Sequence, residues 1–277
     1  MAIELDQPLC PVFSAWPEVY HSFLRRGSDP QVDARFLQGA DALRPTESRF
    51  TVTYAAGAWQ AGRVANREVF RFSAGDLPAY LWAEPNADYS RVEVWPDPVH
   101  GRPMPPLLHP VDRVLCMGVL VHRRRLMVHA CGWLHNGRTL LFPGVSGAGK
   151  TTICNQIMAA GQGAILSDDR VVLRESADGL AACGTPWPGD AKQARNESAP
   201  LRAICFIEKA AENRLTPITP MEALRRIFET ASVPWFKPDM RDTALLVVER
   251  LIQTTPAYRL DWRPDPGVVD CLLPLLQ

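Results

Sequence analysis

The 277-residue sequence predicts an α/β chain with an α+β flank: a phosphate-loop nucleotide-binding core over residues 111–277, preceded by a mostly β region over residues 1–110. Three observations predict it. The run Gly144-Val145-Ser146-Gly147-Ala148-Gly149-Lys150-Thr151 matches GxxxxGK[ST] at every fixed position. The pair Asn136-Gly137 lies between two apolar runs just before that loop, the strongest short signal for a hairpin. Two adjacent acids, Asp168 and Asp169, follow one helix length after the loop.

The elements follow in order. Residues 16–26 read as a helix and a polar connector follows. Residues 50–54, 69–73 and 79–83, rich in aromatic and β-branched side chains, read as strands. Residues 96–110 hold six prolines and can only be a loop or linker. An apolar segment of helix length covers 111–121. Strands are expected at 126–133 and 138–142, joined through His135-Asn136-Gly137, because a type I′ turn needs positive φ twice. After the glycine-rich loop come a helix at 150–160 and a short strand at 164–166, expected to lie next to the phosphate-loop strand. A buried strand is expected at 203–207, with helices at 220–230 and 240–253.

Composition narrows the functional classes. Hydrophobic residues make up 47% and charged residues 22%, which supplies a core and excludes wholesale disorder. Thirty Lys and Arg balance thirty Asp and Glu, so bulk electrostatics points to neither nucleic acid nor an anionic membrane as partner. The one basic cluster, from His122 to Arg125, reads as a solvated turn. The seven cysteines are odd in number and form no CxxC pair, which fits reduced thiols better than a zinc site or a disulfide framework. The first residues lack a basic-then-apolar signal pattern, and no apolar run reaches the ~18 residues of a membrane span. A soluble, cytoplasmic chain is expected.

The chemistry gathers around the loop. Glycines let successive N–H groups curl round a phosphate, and the following helix N-terminus adds partial positive charge. Gly144, Ser146, Gly147, Ala148, Gly149, Lys150, Thr151 and Thr152 are the expected ATP phosphate contacts. Lys150 would reach the β- and γ-phosphates, and the Thr151 hydroxyl would help hold Mg²⁺. A strand ending in Asp168-Asp169 places a carboxylate where open sheets bind ligands. One acid can coordinate Mg²⁺ while the other takes a proton from an attacking hydroxyl, although a solvated Asp-Asp-Arg turn is the plainer alternative. With a two-residue turn, pairing runs 135 with 138, 133 with 140, 131 with 142 and 129 with 144. His129 then lies across from Gly144, to contact a phosphate oxygen, to tune the nearby acid by hydrogen bonding, or to serve as a satisfied core residue.

Taken together, "MVHACGWLHNGRTLLF", "PGVSGAGKTT", "ILSDDRVVLR" and "GTPWPGD" resemble the HPr kinase/phosphorylase family and its shorter relatives. The resemblance covers about residues 111–210 well, 211–277 loosely and the first hundred residues poorly. It implies a core of the HPr kinase C-terminal-domain type, similar to ATP-dependent phosphoenolpyruvate carboxykinase, and ATP- and Mg²⁺-dependent phosphorylation of a serine hydroxyl on a protein or peptide. Position by position it makes Asp168 the catalytic aspartate, Asp169 with Thr151 the Mg²⁺ side, Lys150 the phosphate lysine and His129 the active-site histidine. The segment Gly184–Asp190 is typical of the shorter relatives and reads either as a loop near the site or as a plain turn. The family's C-terminal signature loop and its N-terminal domain have no match here. A serine kinase is therefore the first expectation, with a homo-oligomer left open. A small-molecule kinase and a nucleotide-dependent binding or assembly module without phosphotransfer are the alternatives.

Overall fold

A computed structural model describes residues 3–5, 18–23, 33–74, 77–97, 109–177 and 179–277. The chain divides into two compact units. The first comprises residues 1–18, 25–123 and 234–241; the second comprises 19–24, 124–233 and 242–277.

The first unit is built on a seven-stranded mixed sheet. Its strands are β1 (Ile3–Leu5), β2 (Ala34–Gln38), β3 (Phe50–Ala56), β4 (Trp59–Val64), β5 (Arg67–Phe72), β6 (Leu81–Pro85) and β7 (Arg91–Pro96). Their order is β1-β2-β7-β6-β5-β4-β3. Strands β3 to β7 form an antiparallel meander, and β2 and β1 extend it in parallel. Helix α1 (Val111–His122) belongs to this unit, with nine of its twelve residues buried. Gly118 brings α1 against Tyr89, because a Cβ there would lie 2.1 Å from the Tyr89 ring. Residues of the basic cluster enter ion pairs and stacking: Arg123 meets Asp33 at 3.2 Å and His122 stacks on Tyr89.

The second unit carries the loop. Strand β8 (Arg125–His135) and strand β9 (Arg138–Pro143) form the expected hairpin, with Asn136 at φ 49° and Gly137 at φ 70°. The pairing is the expected one, His135 with Arg138, Trp133 with Leu140 and Cys131 with Phe142. Helix α2 (Lys150–Ala159) follows, then β10 (Ala164–Ser167), β11 (Arg170–Ser176), β12 (Gly179–Cys183), β13 (Ser198–Lys209) and β14 (Arg214–Pro217). Helices α3 (Pro220–Phe228) and α4 (Pro238–Thr254), strand β15 (Ala257–Trp262) and helix α5 (Gly267–Leu272) complete the chain. The eight-stranded sheet runs β10-β8-β11-β12-β13-β15-β14, with β9 between β8 and β13. Pairings among β8, β9, β13, β12 and β11 close into a ring. Helices α2 and α5 cover one face through Ile153, Cys154, Ile157, Val268, Val269 and Leu272, packed on Trp133, Phe142, Leu260 and Trp262.

This architecture corrects the expected fold class. The chain is mostly β, two large mixed sheets with few helices, and not an α/β phosphate-loop core with helical flanks. A doubly wound core needs a crossover helix between successive parallel strands. Here the chain leaves α2 into β10 and then meanders antiparallel through β11 and β12. Strands β11, β12, β14 and β15 went unread because Arg, Ala and Pro dilute their β pattern, and strand state there comes from the neighbours. The short strand β10 also does not lie next to β9. It pairs with β8, so β8 stands between them.

Of the helix expected at 16–26, residues 18–23 form a 3-10 turn and the rest lie outside the described residues, as do residues 98–108 of the proline-rich loop. The six described cysteines are free thiols, and Cys10 lies outside the described residues. None of the described helices is long and apolar enough to cross a membrane.

Candidate functional site

Strand directions bring the site together. Both β9 and β10 run antiparallel to β8, hence parallel to one another, so their C-terminal ends open on the same edge of the sheet. The glycine-rich loop leaves β9 at that edge, and the acid pair leaves β10 there.

The loop is tethered at its start, where Gly144 N–H donates to the His129 carbonyl at 3.1 Å. Gly147 and Gly149 take φ of 82° and 105°, left-handed values that glycine adopts without steric cost. Gly149 also lies over Trp262, where a Cβ would come within 3.1 Å of the indole. Lys150 opens α2 with 7% exposure, and its Nζ donates to the carbonyls of Gly144 at 2.7 Å and Val145 at 3.0 Å. The ammonium is thereby held across the loop. Burial pushes its pKa down, and the nearby Asp169 charge pulls it back up. Ser146 and Gly147 are exposed at the loop tip, Ala148 and Thr151 are half-buried, and Thr152 is exposed.

His129 and Asp169 form a pair, with Nε2 2.9 Å from Oδ1. A carboxylate oxygen can only accept, so Nε2 carries the proton and Nδ1 keeps its lone pair. Burial lowers the imidazole pKa and outweighs the opposing hydrogen bond that the ring donates to Asp169. Arg170 adds a longer contact to the same oxygen at 3.5 Å. The backbone of His129 is held by the Thr230 carbonyl at 2.8 Å.

Asp168 lies near enough to Lys150 to raise the lysine pKa, but its carboxylate has a different set of hydrogen-bond partners. Its Oδ1 accepts from the N–H groups of Gly189 at 2.9 Å and Gln193 at 3.1 Å, and its Oδ2 accepts from Ala191 at 2.7 Å. The residue is 2% exposed. Thus the structure brings Lys150, the loop, His129 and both acids into one neighbourhood, with the Asp168 oxygens taken up by N–H groups of residues 189 to 193. Sequence reasoning pointed to Gly184–Asp190 without its partner. That the segment wraps a carboxylate was not readable, because alternate N–H groups leave no side-chain signature.

Thr151 and Asp169 supply oxygen donors of the kind Mg²⁺ takes, and that ion usually binds one or two carboxylates together with substrate phosphates and water. Among the described residues there is no cluster of three or more His, Cys, Asp or Glu side chains arranged to hold a metal unaided. Thr151 and Asp169 would therefore be only part of the donor set of such an ion. No protein-family model matches the chain, and no curated protein matches it either.

Proposed function

We propose that the chain is a phosphotransferase that binds ATP through the loop from Gly144 to Thr152 and transfers the γ-phosphoryl group to a serine hydroxyl on a protein or peptide. The observation that carries this reading is the convergence, at one sheet edge, of a GxxxxGKT loop, its Lys150 and a histidine paired with a carboxylate. The motif resemblance to the HPr kinase/phosphorylase family supports serine as the acceptor. Free thiols at the six described cysteines suit a reducing compartment, the cytoplasm.

In this reading the loop N–H groups and Lys150 bind the phosphate chain and neutralise charge that grows on the transferring group. Thr151 and Asp169 would hold Mg²⁺, which would supply further positive charge to the phosphate chain. The acceptor oxygen forms a bond to the γ-phosphorus as the bond to the bridging oxygen breaks and ADP leaves. The hydroxyl proton passes to the His129–Asp169 pair. Asp169 orients the ring and stabilises the imidazolium that forms, the division of labour of a histidine–aspartate couple.

Titration calorimetry with MgATP tests the first step. Lys150→Ala should lower affinity at least tenfold, the equivalent of about 1.4 kcal/mol. Equal binding by wild type and Lys150→Ala would remove the loop from the mechanism. Transfer of label from γ-labelled ATP to a serine-peptide library tests the second step, with His129→Gln expected to lose transfer while binding persists.

A further inference from the structure

Asp168 and Asp169 are neighbours in sequence with opposite tasks. We infer that Asp168 is a positioning residue, which pins the segment from 184 to 194 beside the site and so fixes the turn that aims Asp169 at His129. The inference rests on the phosphotransfer reading and deepens it.

Four sets of contacts carry it. First, the Asp168 carboxylate is surrounded by three backbone N–H groups from alternate residues, 189, 191 and 193. Such an array is an anion-binding concavity of the kind that loops offer to phosphates, here occupied by the protein's own carboxylate. Second, the backbone is stitched at the same place. Asp168 N–H donates to the Gln193 carbonyl at 3.3 Å, Arg195 N–H donates to Leu166 at 2.8 Å, and Ser167 bridges Ala194. Third, Ser167 Oγ accepts from the Arg170 N–H at 3.2 Å, and the Thr185 hydroxyl donates to the Arg170 carbonyl at 2.6 Å. Residues 167 to 170 are therefore braced on both sides of the acid pair. Fourth, the approach is close enough to require glycine. A Cβ on Gly184 would lie 1.9 Å from the Arg195 carbonyl oxygen, and one on Gly189 would lie 2.9 Å from Asp168 Oδ2.

The consequence is geometric. With Asp168 turned into the 189–193 array, the next residue is held on the β8 side, where the Asp169 carbonyl accepts from Ala130 N–H at 3.1 Å and its carboxylate meets His129. Asp168 as a residue is 2% exposed and its carboxylate already accepts three N–H groups, which leaves an acceptor hydroxyl little access to it, whereas the Asp169 and His129 side chains stay 17% and 22% exposed.

A double-mutant cycle in the full-length chain distinguishes a pin from a base. Asp168→Asn puts an NH₂ donor among the N–H groups of the array, and Ala191→Pro deletes one donor while leaving the carboxylate intact. A pin predicts that each substitution lowers kcat for label transfer from γ-labelled ATP to the peptide library by about tenfold or more, with KM for ATP changed less than twofold. It also predicts that the double variant is no worse than the poorer single, because both break one device. If Ala191→Pro keeps the wild-type kcat while Asp168→Asn abolishes transfer, Asp168 is the base and the inference falls. Amide hydrogen exchange on the wild type provides a check that needs no variant. Slow exchange at Gly189, Ala191 and Gln193 is expected, and exchange at the rate of an open loop would overturn the pin. A wild type that neither binds MgATP nor moves label would defeat the phosphotransfer reading, while the exchange measurement would still test the pin.

Discussion

One peptide bond separates two carboxylates in different surroundings at residues 168 and 169, and this contrast organises the site at the residue scale. Asp168 satisfies three donors inside the protein, and Asp169 satisfies a histidine at its edge. Removing a carboxylate that completes buried N–H groups costs about 1–3 kcal/mol for each group left unpaired. Asp168→Ala should therefore destabilise the second unit more than Asp169→Ala, which strips a side chain already in part solvated. Denaturant unfolding of the two variants checks the order, and equal losses would count against the buried array. Gly118 makes a similar argument in the first unit. A methyl group there would overlap the Tyr89 ring at 2.1 Å, and overpacking typically costs about 1–3 kcal/mol. Gly118→Ala should lower the thermal midpoint measurably.

At the scale of elements, short-range signals worked where a backbone angle demanded a residue type. Asn136-Gly137 gave away the β8–β9 hairpin and its register, because few residues accept two positive φ values in succession. The loop and α2 were equally legible, since glycines at 147 and 149 adopt left-handed values just before a helix. Helix α3 begins in the same local way. Thr219 Oγ1 accepts from the Glu222 N–H at 3.2 Å, and Pro220 occupies the first turn. Thr219→Ala should cost about 1 kcal/mol, read as a drop in the urea midpoint with an unchanged slope. By contrast, β12 (Gly-Leu-Ala-Ala-Cys) has little strand propensity of its own. It is a strand because β11 and β13 supply hydrogen-bond partners on both edges.

Across the whole molecule, distant chain segments complete each unit. Residues 234–241 belong to the first unit, where the Phe236 ring lies 5.5 Å from Tyr54, 5.5 Å from Trp59 and 5.7 Å from Phe70. Lys237 also pairs with Glu68 at 2.9 Å. Phe236→Ala should destabilise this unit by about 2 kcal/mol, less than a fully buried phenylalanine would cost because the ring is half-buried. A chain ended at Arg123 would lose the same ring and should melt lower than the corresponding unit in the full chain. Unchanged melting in both would show that the aromatic cluster does not depend on Phe236.

The sequence by itself determined what is local: the hairpin turn, the glycine-rich loop with its helix, the register that sets His129 opposite Gly144, and the residue types gathered at the site. Only the tertiary structure decided the order of the strands, the mostly β character of the chain, and which of two adjacent acids meets the histidine. The division has a physical cause. Turn angles and helix starts are governed by sterics within a few residues. The fate of Asp168 depends on N–H groups 21 to 25 residues away, which every non-proline residue carries and which therefore leave no mark in the sequence.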